Sequence, residues 1–118
     1  MIFITEERIK EIQSKVNCNE FLKAELTKKA ESQLSISPLS VTYSKSPAVT
    51  GNPHDFYSEG PYWWPDPQNP QGPYIKRDGE FNPDRFNKHM EDMVTMCDAV
   101  SVLCQAGLYL DKREYLDK

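Results

Sequence analysis

From Pro83 to Leu110 the chain reads PDRFNKHMEDMVTMCDAVSVLCQAGLYL, and this stretch decides the fold class. Phe86, Met90, Met93, Cys97, Val100, Cys104 and Leu108 follow one another at intervals of 4, 3, 4, 3, 4 and 4. That spacing stays close to the 3.6-residue helical turn and lays one apolar stripe along a long helix. Asn82 is a suitable cap and Pro83 suits the first helical position, so the helix is predicted over 83–110. Cys97 and Cys104 sit on the stripe and are expected as buried, reduced thiols that behave as small hydrophobes. Asp111-Lys112-Arg113 then reads as a tight turn. Glu114, Tyr115 and Leu116 read as the opening turn of a further helix, which marks the chain as an excised piece of a longer helical array.

Working outward, residues 1–36 also read as helical. Thr5 can cap a first helix, with Glu6 and Glu7 placed to favour the positive end of its dipole. Ile9, Ile12 and Val16 fall at helical spacing. Asn17-Cys18-Asn19 reads as a break, with Asn19 as a second cap. Phe21, Leu22, Leu26, Ala30 and Leu34 then continue on one face. Between the two helical zones lies 37–82, which holds eight of the nine prolines and four of the five glycines. Neither a helix nor a central strand survives that density, so a long irregular segment is predicted. Tyr43, Phe56, Tyr57, Tyr62, Trp63, Trp64 and Tyr74 load it with rings. Disordered linkers are poor in aromatics, so this loop reads as an ordered surface. The organisation expected is one truncated domain over 1–118: helical over 1–36, an aromatic and proline-rich loop over 37–82, and a long helix with the start of the next over 83–118.

The 118 residues suffice for one modest domain. Hydrophobic residues make up 38% and charged residues 27%, with a mean hydropathy of -0.69. The net charge of -4 and pI near 5.2 provide no basic footprint, which argues against nucleic acid as a partner. An anionic partner would need a local basic patch set against the acidic whole. No apolar run is long enough for a membrane span, and the opening MIFITEER is too short for a signal-peptide core. The three cysteines, Cys18, Cys97 and Cys104, fit neither a disulfide framework nor a zinc spacing. No motif requires a metal or a cofactor.

One stretch is more specific than the rest. From Gly51 the chain runs GNPHDFYSEGPYWWPDPQNPQGPYIKRDGEFNPDRF. His54-Asp55-Phe56 leads to Pro61-Tyr62-Trp63-Trp64-Pro65. Gly72-Pro73-Tyr74-Ile75-Lys76-Arg77-Asp78-Gly79 and Asn82-Pro83 follow. This resembles the opening segment of the alginate lyase family, well over about 47–118 and only in general helical character before that. The resemblance implies an all-α fold, part of an α/α toroid of helical hairpins with a deep cleft. It further implies β-elimination on uronate-containing polysaccharide, and a periplasmic or secreted setting. Such chemistry needs neutralisation of the uronate carboxylate, a base for the C5 proton and an acid for the departing oxygen. In the family an Asn-His pair with Tyr and Arg residues supplies these. No adjacent Asn-His pair occurs here; Asn87 and His89 are separated by Lys88, and no catalytic residue is carried over. His89 itself is expected at the helix surface or boundary.

The resemblance leaves a substrate wall for an anionic polysaccharide, completed by the remainder of the same catalytic domain. Tyr62, Trp63 and Trp64 can stack on sugar faces, or pack the loop onto the helices. Lys76 and Arg77 can meet uronate carboxylates, Arg77 in bidentate fashion, or pair with neighbours such as Asp78. His54 is a carboxylate contact or a loop-stabilising partner of Asp55. Tyr57 offers a polar tip. Two other readings compete with a lyase segment inactive by itself. One is a non-catalytic carbohydrate-binding module using the aromatic loop. The other is an interaction protein whose Pro67-to-Pro70 and Pro70-to-Pro73 spacings are read by a polyproline-binding groove.

Overall fold

The computed structural model describes residues 4–118, so the first three residues of the predicted helical zone lie outside the described residues. The element order is α1 (Glu6–Asn17), α2 (Glu20–Gln33), a 3₁₀ turn (Val41–Tyr43), β1 (Trp63–Trp64), β2 (Ile75–Lys76), α3 (Lys88–Tyr109) and a second 3₁₀ turn (Arg113–Tyr115). The class is all-α: three helices dominate, and the two strands form only a two-residue antiparallel ribbon. Among the described residues the chain divides into two units, one of residues 4–38 with 95–118 and one of residues 39–94.

In the helical unit, the Thr5 hydroxyl accepts the Arg8 N–H at 3.2 Å and starts α1. The Asn19 side chain accepts the Leu22 N–H at 3.1 Å and starts α2. Each cap satisfies one of the amide donors that a helix start leaves without a partner. Val16 is buried on α1. The core joins Ala30, Leu103, Ala106 and Tyr115, flanked by Leu26, Leu34, Val102 and Leu110. The side chain of Gln13 donates to the Leu108 carbonyl at 2.7 Å. Phe21 and Leu22, predicted on the buried face of α2, are exposed, Phe21 by 72%. The core cluster reaches back along α2 only as far as Leu26.

The end of α3 is built by its residues in turn. Asp111 takes φ 55°, the left-handed conformation that reverses a helix end. Lys112 N–H then reaches the Gly107 carbonyl at 3.0 Å. Leu116 folds back over Gly107, where an added Cβ would meet its side chain at 2.5 Å and push it aside. The predicted turn at 111–113 is therefore present. Arg113–Tyr115 then form a 3₁₀ turn, where the opening of a further α-helix was expected over 114–116, and its Tyr115 plugs the core at 3% exposure.

Two expectations for α3 are corrected. The helix starts at Lys88, not at Pro83. Asn82 spends its side chain otherwise, donating to the Trp63 carbonyl at 2.9 Å and accepting the Asp84 N–H at 3.0 Å, so 82–84 is a turn. The stripe is also displaced. Met93, Val100, Cys97 and Cys104 are exposed, while His89, Asp92, Ala99 and Leu103 are buried. The buried face is the predicted stripe moved back by one residue. Small Ala99 and Ala106 permit close packing on that face, and its polar members have partners: Asp92 pairs with Lys88. The thiols are thus free but not buried, and Cys18 is exposed as well.

Candidate functional site

The loop unit is organised around two polar side chains. Glu59 is the first. Its Oε1 accepts the Tyr57 hydroxyl at 3.1 Å and the Tyr74 hydroxyl at 2.9 Å, and its Oε2 accepts the Phe86 N–H at 2.6 Å. Its own N–H donates to the Phe86 carbonyl at 2.9 Å. One carboxylate thereby ties together residues 57, 74 and 86, three points of a loop with almost no regular structure. Both phenols are held in their neutral form. Burial, then the Glu59 carboxylate, raises the pKa of Tyr57 above 10.0. For Tyr74 the hydrogen bond to Glu59 is the larger cause and burial the smaller.

His89 is the second. It is 1% exposed, which corrects the expectation of a surface or boundary histidine. The Tyr57 N–H donates to its Nδ1 at 3.1 Å, and its Nε2 lies 3.0 Å from the Ser44 carbonyl. An N–H donor at one nitrogen and a carbonyl acceptor at the other fix the neutral tautomer with the proton on Nε2. Phe86 meets the ring edge-on at 5.0 Å, and Phe56 lies 6.1 Å away. Both ring nitrogens are occupied, so this histidine is a fastening and not a base.

The aromatic ribbon lies in the same unit. Trp63 pairs with Lys76 and Trp64 with Ile75 across β1 and β2. Alternation along a strand sends the two indoles to opposite faces. Trp63 is 43% exposed, and its ring rests on Gly60, where a Cβ would lie 2.6 Å away. Trp64 is half-buried, donates from Nε1 to the Glu80 carbonyl at 3.0 Å, and carries the Arg77 guanidinium 5.1 Å from its ring centre. Arg77 also sits 3.5 Å from Glu80, and Lys76 sits 2.7 Å from Asp78. Tyr62 is exposed and its carbonyl accepts the Arg77 N–H at 2.9 Å. A cleft of about 340 Å³ opens beside Trp64, with Glu59, Asp66, Tyr74 and Asp84 among its lining.

The ribbon lies within the stretch over which the chain matches other proteins. The alginate lyase family matches residues 40–118. The chain belongs to that family. A crystal structure of an alginate lyase from Bacteroides ovatus superposes with a TM-score of 0.72 at 32% identity, over 93% of this chain. The chain spans 30% of the length of that alginate lyase. No curated protein matches.

Of the residues singled out in the sequence, Trp64 and Arg77 are stacked together, and Trp63 and Lys76 face each other across the ribbon. Tyr57 is drawn into the Glu59 network. His54 stands apart: it is exposed, its N–H donates to the Asn52 side chain at 3.0 Å, and the expected partner Asp55 accepts from Thr50 instead. Sequence reasoning missed Glu59 and misplaced His89. The Tyr57-Ser58-Glu59 spacing was the one available signal for the former. No group of three or more His, Cys, Asp or Glu among the described residues is placed to hold a metal ion.

Proposed function

We propose that this chain supplies part of the substrate-binding wall of a lyase that cleaves a uronate-containing polysaccharide by β-elimination. The observation that carries the reading is the ribbon. An exposed indole, Trp63, stands directly opposite a lysine, Lys76, on a strand pair stiffened by prolines. An aromatic face beside a cation fits the apolar face and the carboxylate of a uronate ring. Tyr62 extends the aromatic surface, while Arg77 is committed to Trp64 and Glu80 and serves to hold the ribbon. Lys76 pairs with the exposed Asp78, a weak surface contact that a substrate carboxylate can displace.

Family membership and the fold shared with an alginate lyase support the reaction class. The Asn-His pair that the family chemistry uses has no counterpart in residues 1–118, so the role of this chain is binding. The other helical hairpins of an α/α toroid would supply the chemistry.

Affinity electrophoresis in a polyuronate gel tests the proposal. The chain should be retarded by polyuronate and not by a neutral glucan, and Trp63→Ala should abolish the retardation. Unchanged mobility of Trp63→Ala, in a variant that retains the native helical spectrum, would refute the wall.

A further inference from the structure

A second cleft, of about 360 Å³, lies in the loop unit away from the tryptophans. Its size is within the range of about 300–1,000 Å³ usual for small-molecule sites. We propose that it is a subsite for one uronate unit, a hydroxylated ring carrying a single carboxylate. This rests on the lyase reading for the identity of the polymer, and on the cleft itself for the chemistry.

The lining is unusual for this protein. Thr42, Ser44, Ser46 and Asn52 contribute three hydroxyls and an amide, Lys45 the only charged side chain, and His89 a wall. No carboxylate lines it, although the chain carries 18 acidic residues and a net charge of -4. The cleft beside Trp64 is the opposite case, with Glu59, Asp66 and Asp84 in its lining. An anionic ring is repelled there and attracted here. Lys45 has no ion pair among the described residues, so its ammonium is available to a ligand, unlike that of Lys76.

The polar groups are also free to bond. The Asn52 Oδ1 is taken by the His54 N–H, which leaves its amide NH₂ as donor. The Ser46 hydroxyl only accepts, from the Ala48 N–H at 3.4 Å. The Ser44 hydroxyl, on another residue of the lining, is buried without a hydrogen-bond partner. His89 has both ring nitrogens bonded to backbone and so does not offer them to the ligand. It acts as a fixed, neutral wall. A carboxylate on Lys45 with ring hydroxyls on Ser46 and Asn52 matches the accessible groups of this lining.

The test is a titration of the full chain with sodium glucuronate, followed by amide shifts in nitrogen-resolved nuclear magnetic resonance. Glucose and inorganic phosphate are the controls. Saturable shifts at Ser44, Lys45, Ser46 and Asn52 are expected with glucuronate, and none with glucose. Lys45→Gln should weaken binding by about tenfold, and Lys45→Arg should restore most of it, as a charge-assisted hydrogen bond requires. Trp63→Ala should leave these shifts unchanged. Absent shifts, equal affinity in Lys45→Gln, or phosphate binding as tightly as glucuronate would each overturn the subsite. Gel retardation that depends on Trp63 while Lys45→Gln has no effect on glucuronate would sink the subsite and spare the wall. Lys45-dependent glucuronate binding without Trp63-dependent retardation would do the reverse.

Discussion

In the helical unit the side chains shut away from water are those of Val16, Ala30, Ala99, Leu103, Ala106 and Tyr115, whereas in the loop unit they are those of Asn82, His89 and Asp92. The first set gains its stability from apolar contact, which is non-directional and roughly proportional to the area covered. The second gains it from hydrogen bonds that each need one partner at one angle. A loop this rich in proline cannot form ladders of backbone bonds, so side chains take over their task. Glu59, Asn82 and His89 between them hold backbone groups of residues 44, 57, 63, 84 and 86. The lesson is that a segment without regular structure can still be specified, at the cost of depending on a few irreplaceable atoms.

That contrast predicts its own breaking points. Both tryptophans lie in the loop unit, so their fluorescence reports on it alone, while far-ultraviolet circular dichroism follows the helices. The largest loss is expected for His89→Ala, about 3–5 kcal/mol, because it opens a cavity and leaves the Tyr57 N–H and the Ser44 carbonyl without partners. Denaturant unfolding monitored by fluorescence measures it. His89→Leu keeps the volume and removes only the bonds; a cost below about 1 kcal/mol there would mean that packing, not bonding, holds the loop.

Next comes Tyr115→Ala, at about 3 kcal/mol for the loss of a buried aromatic ring. It should lower the melting transition seen by dichroism. If the Phe replacement costs nearly as much, the hydroxyl rather than the ring is what matters, and the helical unit too depends on a directional bond.

Smallest is Glu59→Gln, at about 1–2 kcal/mol, since an amide still accepts some of the bonds the carboxylate held. The same network is reachable by pH. The folded pKa values of Tyr57 and Tyr74 are raised above 10.0, so their contribution is complete below that pH and is lost as pH climbs through the elevated folded values. Tryptophan emission should shift on that alkaline limb in the parent chain. In a Tyr57→Phe, Tyr74→Phe double variant the shift should shrink; an identical limb would show that the phenols do not tie the loop.

What could be read from the amino acids divides along the same line. The caps at Thr5 and Asn19 were legible because capping is local: the bonding groups lie three residues apart. Asn82 shows the limit of that logic. A side-chain oxygen meeting a nearby N–H makes a helix cap or a free-standing turn by the same chemistry, and only the distant Trp63 carbonyl decided for the turn. The His54, Asp55 and Thr50 arrangement is a similar case, with the acid bonding five residues back instead of to its neighbour. His89 was beyond reach for a different reason. Its partners are backbone atoms 32 and 45 residues away, and a backbone atom carries no residue identity to search for. The shift of the buried stripe on α3 follows from this: counting apolar residues alone gives no weight to a buried histidine and aspartate, and so it places the face one residue too far along.

The thiols of α3 have a practical consequence. Cys97 and Cys104 both stand in water on one rigid rod, separated by seven residues and therefore by about 10.5 Å. A disulfide spans less than about 7 Å between α-carbons, so these two cannot close on each other without unwinding the helix. A disulfide made by either of them therefore needs a third thiol, that of the exposed Cys18 or one from another molecule. Maleimide dyes will load at separate, countable positions along the helix.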